Sequence, residues 1–133
     1  ESCQSIAQPP KMENQITADN AGKLNCSCIV EAANGPTTEE ADKILEERGI
    51  TLIPDIFANS GGVIVSYFEW VQNIQELTWD REQVNAMLEK LMSKSFQSLL
   101  EVIQECHCTF RMAAYIVALR KLVTAEKMKG IFP

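Results

Sequence analysis

Two short apolar runs with an amphipathic segment between them constrain the fold of this chain more than any other feature. Residues 26–32 and 50–56 are mostly small, apolar or β-prone, which is the pattern of buried strands. Residues 38–48 instead repeat their apolar side chains at helical spacing. A strand, a helix and a second strand in this order form part of a parallel-sheet unit. We therefore predict an α/β fold.

Turn and capping residues mark the breaks between these elements. Thr37 and Glu40 have the spacing of a capping box at the start of the first helix, and Gly49 is suited to end it. Residues 59–62, Asn-Ser-Gly-Gly, predict a tight turn after the second strand. A second helix follows this turn and is expected to end near Gln75.

The flanks of this unit carry helical patterns. Downstream, Asp80 is a predicted N-cap for a long amphipathic helix, and a final helix is expected over about 110–129, ended by Gly130. Upstream, residues 13–23 suit a short helix, with Thr17 and Asp19 as the two candidate caps.

The predicted fold class is an α/β, truncated Rossmann-like half domain with two to three parallel strands and C-terminal helices. We expect an irregular segment or degenerate strand at 1–12, a partial dinucleotide-binding unit at 13–75 and a helical segment at 76–133. The length of 133 residues suits one domain with one core. Because the chain begins with Glu1 and not Met, an upstream leader or larger protein stays open.

Charge and composition argue against two classes of partner. The formal net charge is −6 and no Lys/Arg stripe is interleaved with aromatics, so no nucleic-acid partner is predicted. The apolar runs are far shorter than the roughly 20 residues that a membrane-spanning helix needs, so no membrane span is predicted.

The cysteines allow a metal interpretation and a simpler one. Cys26 and Cys28 share one face of a predicted strand, where thiols behave as small core hydrophobes, and Cys106 and Cys108 flank His107. Cys-x-Cys is not the usual spacing of a zinc site, so no metal site is predicted. The odd count of 5 cysteines favours a reducing or organellar interior. A plastid or mitochondrion is preferred to the cytoplasm of a cyanobacterium-like cell, with the compartment left open.

Ligand chemistry is expected beyond the carboxyl ends of the two strands, where open parallel sheets bind ligands. Asn34 and Asn59 lie there, and an amide can both donate to and accept from a ribose hydroxyl or a carboxamide. Gly61 and Gly62 permit close backbone approach. The alternative is that these residues only satisfy turn geometry, and spacing does not decide between the two interpretations.

No catalytic residue is predicted from the sequence. The Gly-x-Gly-x-x-Gly phosphate fingerprint is absent, and His107, the single histidine, has no nucleophile partner beyond its own loop. Glu31, Asp55 and Glu69 are isolated carboxylates whose spacing proposes no acid–base pair. The residues alone therefore indicate an α/β domain with a candidate ligand crevice.

Three stretches of the sequence resemble motifs of glutamate dehydrogenases. They are ENQIT at 13–17, EAANGPTTEEAD at 31–42 and PDIFANSGGVIVSYFEWVQN at 54–73. The similarity covers roughly 13–133, and its wording is most similar to the plant and cyanobacterial type. The chain is therefore identified as the C-terminal part of a member of the Glu/Leu/Phe/Val dehydrogenase family.

The resemblance implies roles for particular residues. Asn34 and Asn59, with Gly61 and Gly62 of the same motif, would line the nicotinamide–ribose part of an NAD or NADP site. Ser66 would contact the side-chain carboxylate of glutamate. The family also has a substrate domain with catalytic lysines and a Gly-rich turn that holds the pyrophosphate. Neither is found in this sequence, so the chain alone is not expected to be an enzyme.

These observations leave three functional interpretations. The favoured one is a non-catalytic accessory or structural subunit of a larger assembly, whose protein partners cover the incomplete sheet or the apolar helical stripe. The second is the C-terminal NAD(P)-binding portion of an active glutamate dehydrogenase, which oxidatively deaminates glutamate to 2-oxoglutarate. The third is a small nucleotide-sensing module. NAD or NADP is implied by the resemblance alone, and the first interpretation allows a chain that binds neither.

Overall fold

Three short parallel strands form the sheet of this protein. The computed structural model describes residues 6–7, by their backbone, and 13–129. Strand β1 (Ile6–Ala7) pairs with β2 (Cys28–Val30), which pairs with β3 (Thr51–Ile53), so the order follows the sequence. Ile29 of β2 lies opposite Leu52 of β3. This parallel arrangement confirms the predicted α/β fold class.

Six helices are present among the described residues. They are α1 (Ala18–Ala21), α2 (Glu39–Glu47), α3 (Asp55–Ala58), α4 (Ser60–Gln75), α5 (Arg81–Cys106) and α6 (Phe110–Lys129). The predicted end of α4 at Gln75 is confirmed, and so are the bounds of α6. Asp80 caps α5 as predicted, because its carboxylate accepts from the Gln83 amide at 2.7 Å. Gly130, predicted to end α6, lies outside the described residues.

The core of the sheet unit forms around the central strand. Ile29 is fully buried and Leu45 of α2 is 1% exposed. Ala41 and Leu45 are four residues apart, so they share the helix face that covers the sheet. The cluster also includes Ile16, Ala21 and Ile50. Burial of one large aliphatic side chain contributes about 1.5–3 kcal/mol, so this cluster fixes how α2 lies on the strands.

Residues 13–17 form a turn and then a bridge to another segment, which corrects the start of the helix predicted over 13–23. The Ile16 amide donates to Pro36 O at 2.8 Å, and the Thr38 amide donates to Ile16 O at 2.9 Å. These bonds hold Ile16 beside Thr37 in a parallel bridge. The hydrogen bonds to the loop after β2 therefore stabilise this segment more than local helix propensity would. The helix begins only after its cap, Thr17.

The ends of α2 confirm one predicted cap and correct the other. Thr38, not Thr37, is the N-cap, and its hydroxyl accepts from the Ala41 amide at 3.3 Å. Thr37 is instead held in the bridge to Ile16. Gly49 follows the C-cap with φ +68°, and its amide donates to Glu46 O at 2.9 Å. This left-handed position is the one that favours glycine.

Residues 59–62 do not form the predicted tight turn. Asn59 has φ −94° and lies between α3 and α4, and Gly61 and Gly62 belong to the first turn of α4. The Asn59 amide donates to Asp55 O at 3.0 Å. A short helix thus absorbs the end of the predicted strand, and β3 stops at Ile53 because Pro54 leads into α3.

The chain divides into two compact units, Glu1–Glu89 and Lys90–Pro133. In the second unit the rings of Phe96 and Phe110 stack with centroids 5.9 Å apart. The predicted organisation into 1–12, 13–75 and 76–133 stays a prediction. Across the described part of the chain, no helix is both long enough and apolar enough to cross a membrane.

Candidate functional site

A crevice lies beyond the carboxyl ends of β2 and β3. The loop after β2 carries Asn34, and the junction of α3 and α4 carries Asn59. The Asn59 Nδ2 donates to Asn34 Oδ1 at 2.6 Å. The two amides that the sequence places 25 residues apart are thus in direct contact. This is the sheet edge at which open parallel folds bind ligands.

The crevice is open to solvent and has a volume of about 760 Å³. Its lining combines four predicted site residues with four others: Asn34, Asn59, Gly62 and Ser66, and Glu13, Ala32, Ala33 and Val63. A volume of this order suits a cofactor-sized ligand.

Gly61, the remaining predicted site residue, is not part of the crevice lining. A Cβ atom added to Gly61 would meet Leu88 Cδ1 at 3.8 Å, whereas one added to Gly62 would enter open space. The two adjacent glycines therefore face different surroundings, and Gly62 is the one past which a ligand could lie close to the backbone.

Local backbone structure explains how each polar side chain reaches the crevice. Gly35 adopts φ +55° directly after Asn34, which turns the chain sharply at the end of the strand. Ser66 lies one turn after Gly62 on α4, and its hydroxyl donates to Gly62 O at 3.1 Å. The helix therefore presents Ser66 on the same side as Gly62.

The sequence interpretation missed a hydrogen-bonded link that runs from Glu31 through Asp55 to Gly35. Glu31 is fully buried, and its Oε2 accepts from the Asp55 amide at 2.9 Å. Asp55 Oδ2 in turn accepts from the Gly35 amide at 2.7 Å. The spacing suggested that these carboxylates are isolated, but the structure joins them through backbone amides. A charged residue directly after an apolar strand was the available signal, since such groups are buried only with partners.

The crevice suits an uncharged part of a ligand better than a phosphate. Among the described residues that line it, Glu13 is the single ionisable side chain, and no Lys or Arg is present. Amides, a hydroxyl and exposed backbone can hydrogen-bond to sugar hydroxyls or a carboxamide. A phosphate would require positive charge or several convergent backbone amides.

Strand β2 covers only Cys28–Val30, which corrects the strand predicted over 26–32, so Cys28 lies in the strand and Cys26 precedes it. Both cysteines fit a structural role. Cys26 and Cys28 are half-buried free thiols. Burial, and to a smaller extent the neighbouring Cys26, raises the pKa of the Cys28 thiol, which favours the neutral form. Across residues 13–128, whose side chains are described, no three His, Cys, Asp or Glu side chains converge as a metal site would require.

Comparison with known proteins identifies the family. A family model described as Glutamate/Leucine/Phenylalanine/Valine dehydrogenase matches residues 3–130. The chain belongs to this family. Both the resemblance of the three motifs and the parallel strand–helix fold agree with that membership.

Similar members of the family are bacterial glutamate dehydrogenases. The chain is 48% identical over 128 residues to one from Thermotoga maritima, which covers 96% of the chain and 31% of that relative. It is 49% identical over 125 residues to a cryptic catabolic NAD-specific glutamate dehydrogenase of Bacillus subtilis, covering 94% of the chain and 29% of that relative. The chain thus spans about a third of the length of these relatives.

Solved structures show the same fold in this family. The glutamate dehydrogenase of Peptoniphilus asaccharolyticus matches with a TM-score of 0.89 and 44% identity, covering 94% of this chain and 32% of that one. A hetero-hexameric glutamate dehydrogenase from Thermus thermophilus, in a Leu-bound form, matches with a TM-score of 0.82 and 26% identity over 96% of this chain and 30% of that one. The backbone fold of this chain is therefore that of a segment of these glutamate dehydrogenases.

Proposed function

We propose that this chain is the C-terminal portion of a glutamate dehydrogenase and supplies the nicotinamide–ribose wall of its NAD site. The observation that carries the proposal is the 2.6 Å bond between Asn34 and Asn59 at the carboxyl ends of adjacent parallel strands, with Ser66 in the same crevice. NAD is preferred to NADP because several relatives are named NAD-specific. The plant-type lineage and an organellar location stay predictions.

The asparagine pair has the right groups left for a ribose or carboxamide. The bond between the two amides uses one donor and one acceptor, so Asn34 Nδ2 can still donate and Asn59 Oδ1 can still accept. The resemblance assigns Ser66 to the side-chain carboxylate of glutamate. Ser66 on α4 and the asparagines in the strand-end loops thus line one crevice, as adjacent cofactor and substrate require.

In this mechanism the chain binds and orients, and groups elsewhere in the enzyme move protons. When bound, NAD supplies the nicotinamide that accepts hydride from the α-carbon of glutamate. Asn34 and Asn59 would fix the ring and ribose, and Ser66 would fix the distal carboxylate. Their contribution is the alignment of two reactants, which lowers the entropic part of the barrier.

NADH binding by the polypeptide that the source organism makes tests this proposal. We expect Asn34→Ala to weaken binding by roughly tenfold, the effect of about 1.4 kcal/mol, measured by NADH fluorescence titration. Asn73→Ala is the matched control, because Asn73 is exposed on α4 and outside the crevice lining. A wild-type protein without measurable NADH affinity, or equal affinities for the variant and the wild type, would contradict the proposal.

A non-catalytic accessory subunit is the second candidate, and one observation favours it. Helix α6 carries exposed large apolar side chains at helical spacing: Met112, Tyr115, Leu119, Leu122 and Val123. Such a stripe is typical of a protein-binding surface. This candidate requires that the native polypeptide co-purifies with a partner and has neither NADH affinity nor glutamate turnover. The first candidate instead requires NADH affinity and glutamate turnover.

A further inference from the structure

Glu31 and Asp55 are carboxylates beside the crevice that neither line it nor have an assigned role. We propose that they are positioning residues, which hold Asn34 against Asn59 so that the crevice is preformed for the nicotinamide–ribose part of a dinucleotide. This inference rests on the proposed function for its ligand, but the geometry that carries it is internal to the protein.

The first step joins the two strand ends. Glu31 follows β2 directly and its exposed fraction is 0%. Its Oε2 accepts from the Asp55 amide at 2.9 Å, and its own amide donates to Ile53 O at 3.0 Å. Asp55 is the first residue of α3, so this bond satisfies one of the amides that a helix start leaves unpaired. The buried carboxylate thus sets where α3 begins.

The second step fixes the loop that carries Asn34. Asp55 Oδ2 accepts from the Gly35 amide at 2.7 Å, and Oδ1 accepts from the Ile56 amide at 2.7 Å. Gly35 has φ +55°, and because glycine also adopts other conformations at little cost, this one must be held by contacts. A hydrogen bond to a carboxylate is stronger than one between neutral groups, so it restrains the turn.

The third step closes a ring. The Asn59 amide donates to Asp55 O at 3.0 Å, and the Asn59 side chain donates to Asn34 Oδ1 at 2.6 Å. Asp55 therefore holds both asparagines. Its backbone carbonyl accepts from the Asn59 amide, and its carboxylate accepts from the amide of Gly35, the residue after Asn34. Removal of that carboxylate would open the ring on the Asn34 side.

A preformed pair of amides binds ligand better than a mobile pair, because the cost of ordering the loop is met during folding. Loss of the Asp55 carboxylate should therefore lower ligand affinity more than it lowers stability. If Asp55 had a merely structural role, a variant elsewhere that loses as much stability would weaken ligand binding by the same amount.

The test compares Asp55→Ala with Asp80→Ala in the polypeptide as its source makes it. The Asp80 carboxylate also accepts a hydrogen bond from a backbone amide at a helix start, that of Gln83 at 2.7 Å, but Asp80 lies outside the crevice lining. Both variants should lose similar stability in chemical denaturation. Of these two variants, we expect only Asp55→Ala to weaken NADH binding, by roughly tenfold. Asp55→Asn should have an affinity between those of the wild type and Asp55→Ala, because its one side-chain oxygen can accept from Gly35 only if its NH2 group faces the Ile56 amide.

Hydrogen exchange separates failure of this inference from failure of the proposed function. The Gly35 amide should exchange at least about tenfold faster in Asp55→Ala than in the wild type and slowly in Asp80→Ala, with or without NADH. Faster Gly35 exchange in a protein that binds no NADH would support the ring and overturn the proposed ligand. Unchanged Gly35 exchange, or equal NADH affinities of Asp55→Ala and Asp80→Ala, would overturn the positioning role.

Discussion

The side-chain amide of Asn34 bears on the two interpretations that sequence spacing left open, a ligand role and a role in the turn alone. If Asn34 served only the turn, its side chain would bond within its own loop. Its Oδ1 instead accepts from Asn59, on a different element. The turn itself is formed by Gly35, whose φ of +55° meets the geometric need. The turn geometry alone does not require the bond to Asn59, which supports the proposed ligand role of Asn34.

The adjacent glycines of α4 provide a paired prediction at the residue scale. Gly62→Ala should weaken NADH binding, because Gly62 lines the crevice and the added methyl group would occupy space that is open in the wild type. Gly61→Ala should leave NADH binding unchanged, because its Cβ would make an ordinary 3.8 Å contact with Leu88. Both variants should unfold no more easily than the wild type, since alanine favours a helix by up to about 1 kcal/mol over glycine.

NADH titration and thermal unfolding of the two variants check this prediction. Reduced affinity in both proteins, or in Gly61→Ala alone, would show that the crevice does not mark the ligand surface. Reduced affinity accompanied by lower stability would instead indicate a distorted start of α4.

The C-terminal end of α2 belongs to the scale of the element. Gly49→Ala should lower the free energy of unfolding by about 1 kcal/mol, because Gly49 has φ +68° and an added Cβ is strained there. Gly22→Ala is the control, since Gly22 has φ −64° and open space around it. Denaturant unfolding of the two variants gives the measurement, and equal midpoints would contradict the assigned role of Gly49.

An ion pair joins α5 to α6 within the second unit and makes a pH prediction. Arg120 Nη1 lies 2.8 Å from Glu105 Oε2. The hydrogen bond from Arg120, with its charge, lowers the pKa of the Glu105 carboxyl. A lowered folded-state pKa adds stability that is present above the unfolded pKa and is lost as the pH falls through the folded value. Both side chains are exposed, so the effect should be small and weakened by salt.

NMR titration of Glu105 in Arg120→Gln checks this pair. The pKa of Glu105 should rise toward its ordinary value in the variant, because the hydrogen bond and the charge of Arg120 are then removed. No movement of the Glu105 pKa would mean that the pair does not persist in solution.

At the scale of the whole molecule, the apolar stripe of α6 predicts association. Leu119 and Leu122 are 59% and 62% exposed, which is costly for side chains of this size in water. Leu119→Glu should shift the protein toward smaller species in sedimentation analysis, because a carboxylate does not enter an apolar interface without a partner. Lys121→Glu is the control, a charge change on an exposed residue of the same helix that lies off the stripe.

The sedimentation result also bears on the two functional candidates. A wild-type protein that remains monomeric at micromolar concentration would leave the stripe without an interface and remove the observation that favours the accessory subunit. Dissociation by Leu119→Glu with NADH affinity retained would agree with a dehydrogenase whose α6 lies at a contact between subunits or segments.

Local sequence was sufficient for those parts of the fold that depend on near neighbours. The ends of α6, the cap at Asp80 and the left-handed glycine at position 49 follow from periodicity and turn chemistry over a few residues. The parallel strands also followed, because a buried strand, a helix and a strand leave few arrangements. The motif resemblance predicted the family that the comparison shows.

Tertiary structure alone decided the features that depend on distant pairs. The segment at Ile16 became extended because the loop after β2 offered its backbone groups, a partner some 20 residues away that local propensity does not include. The link from Glu31 through Asp55 to Gly35 has the same origin, since a carboxylate looks isolated in sequence until folding brings a backbone amide to it. Local sequence therefore determined most of the elements and the resemblance to the family, whereas the packing of strand ends determined the crevice, the segment at Ile16 and the short helix α3.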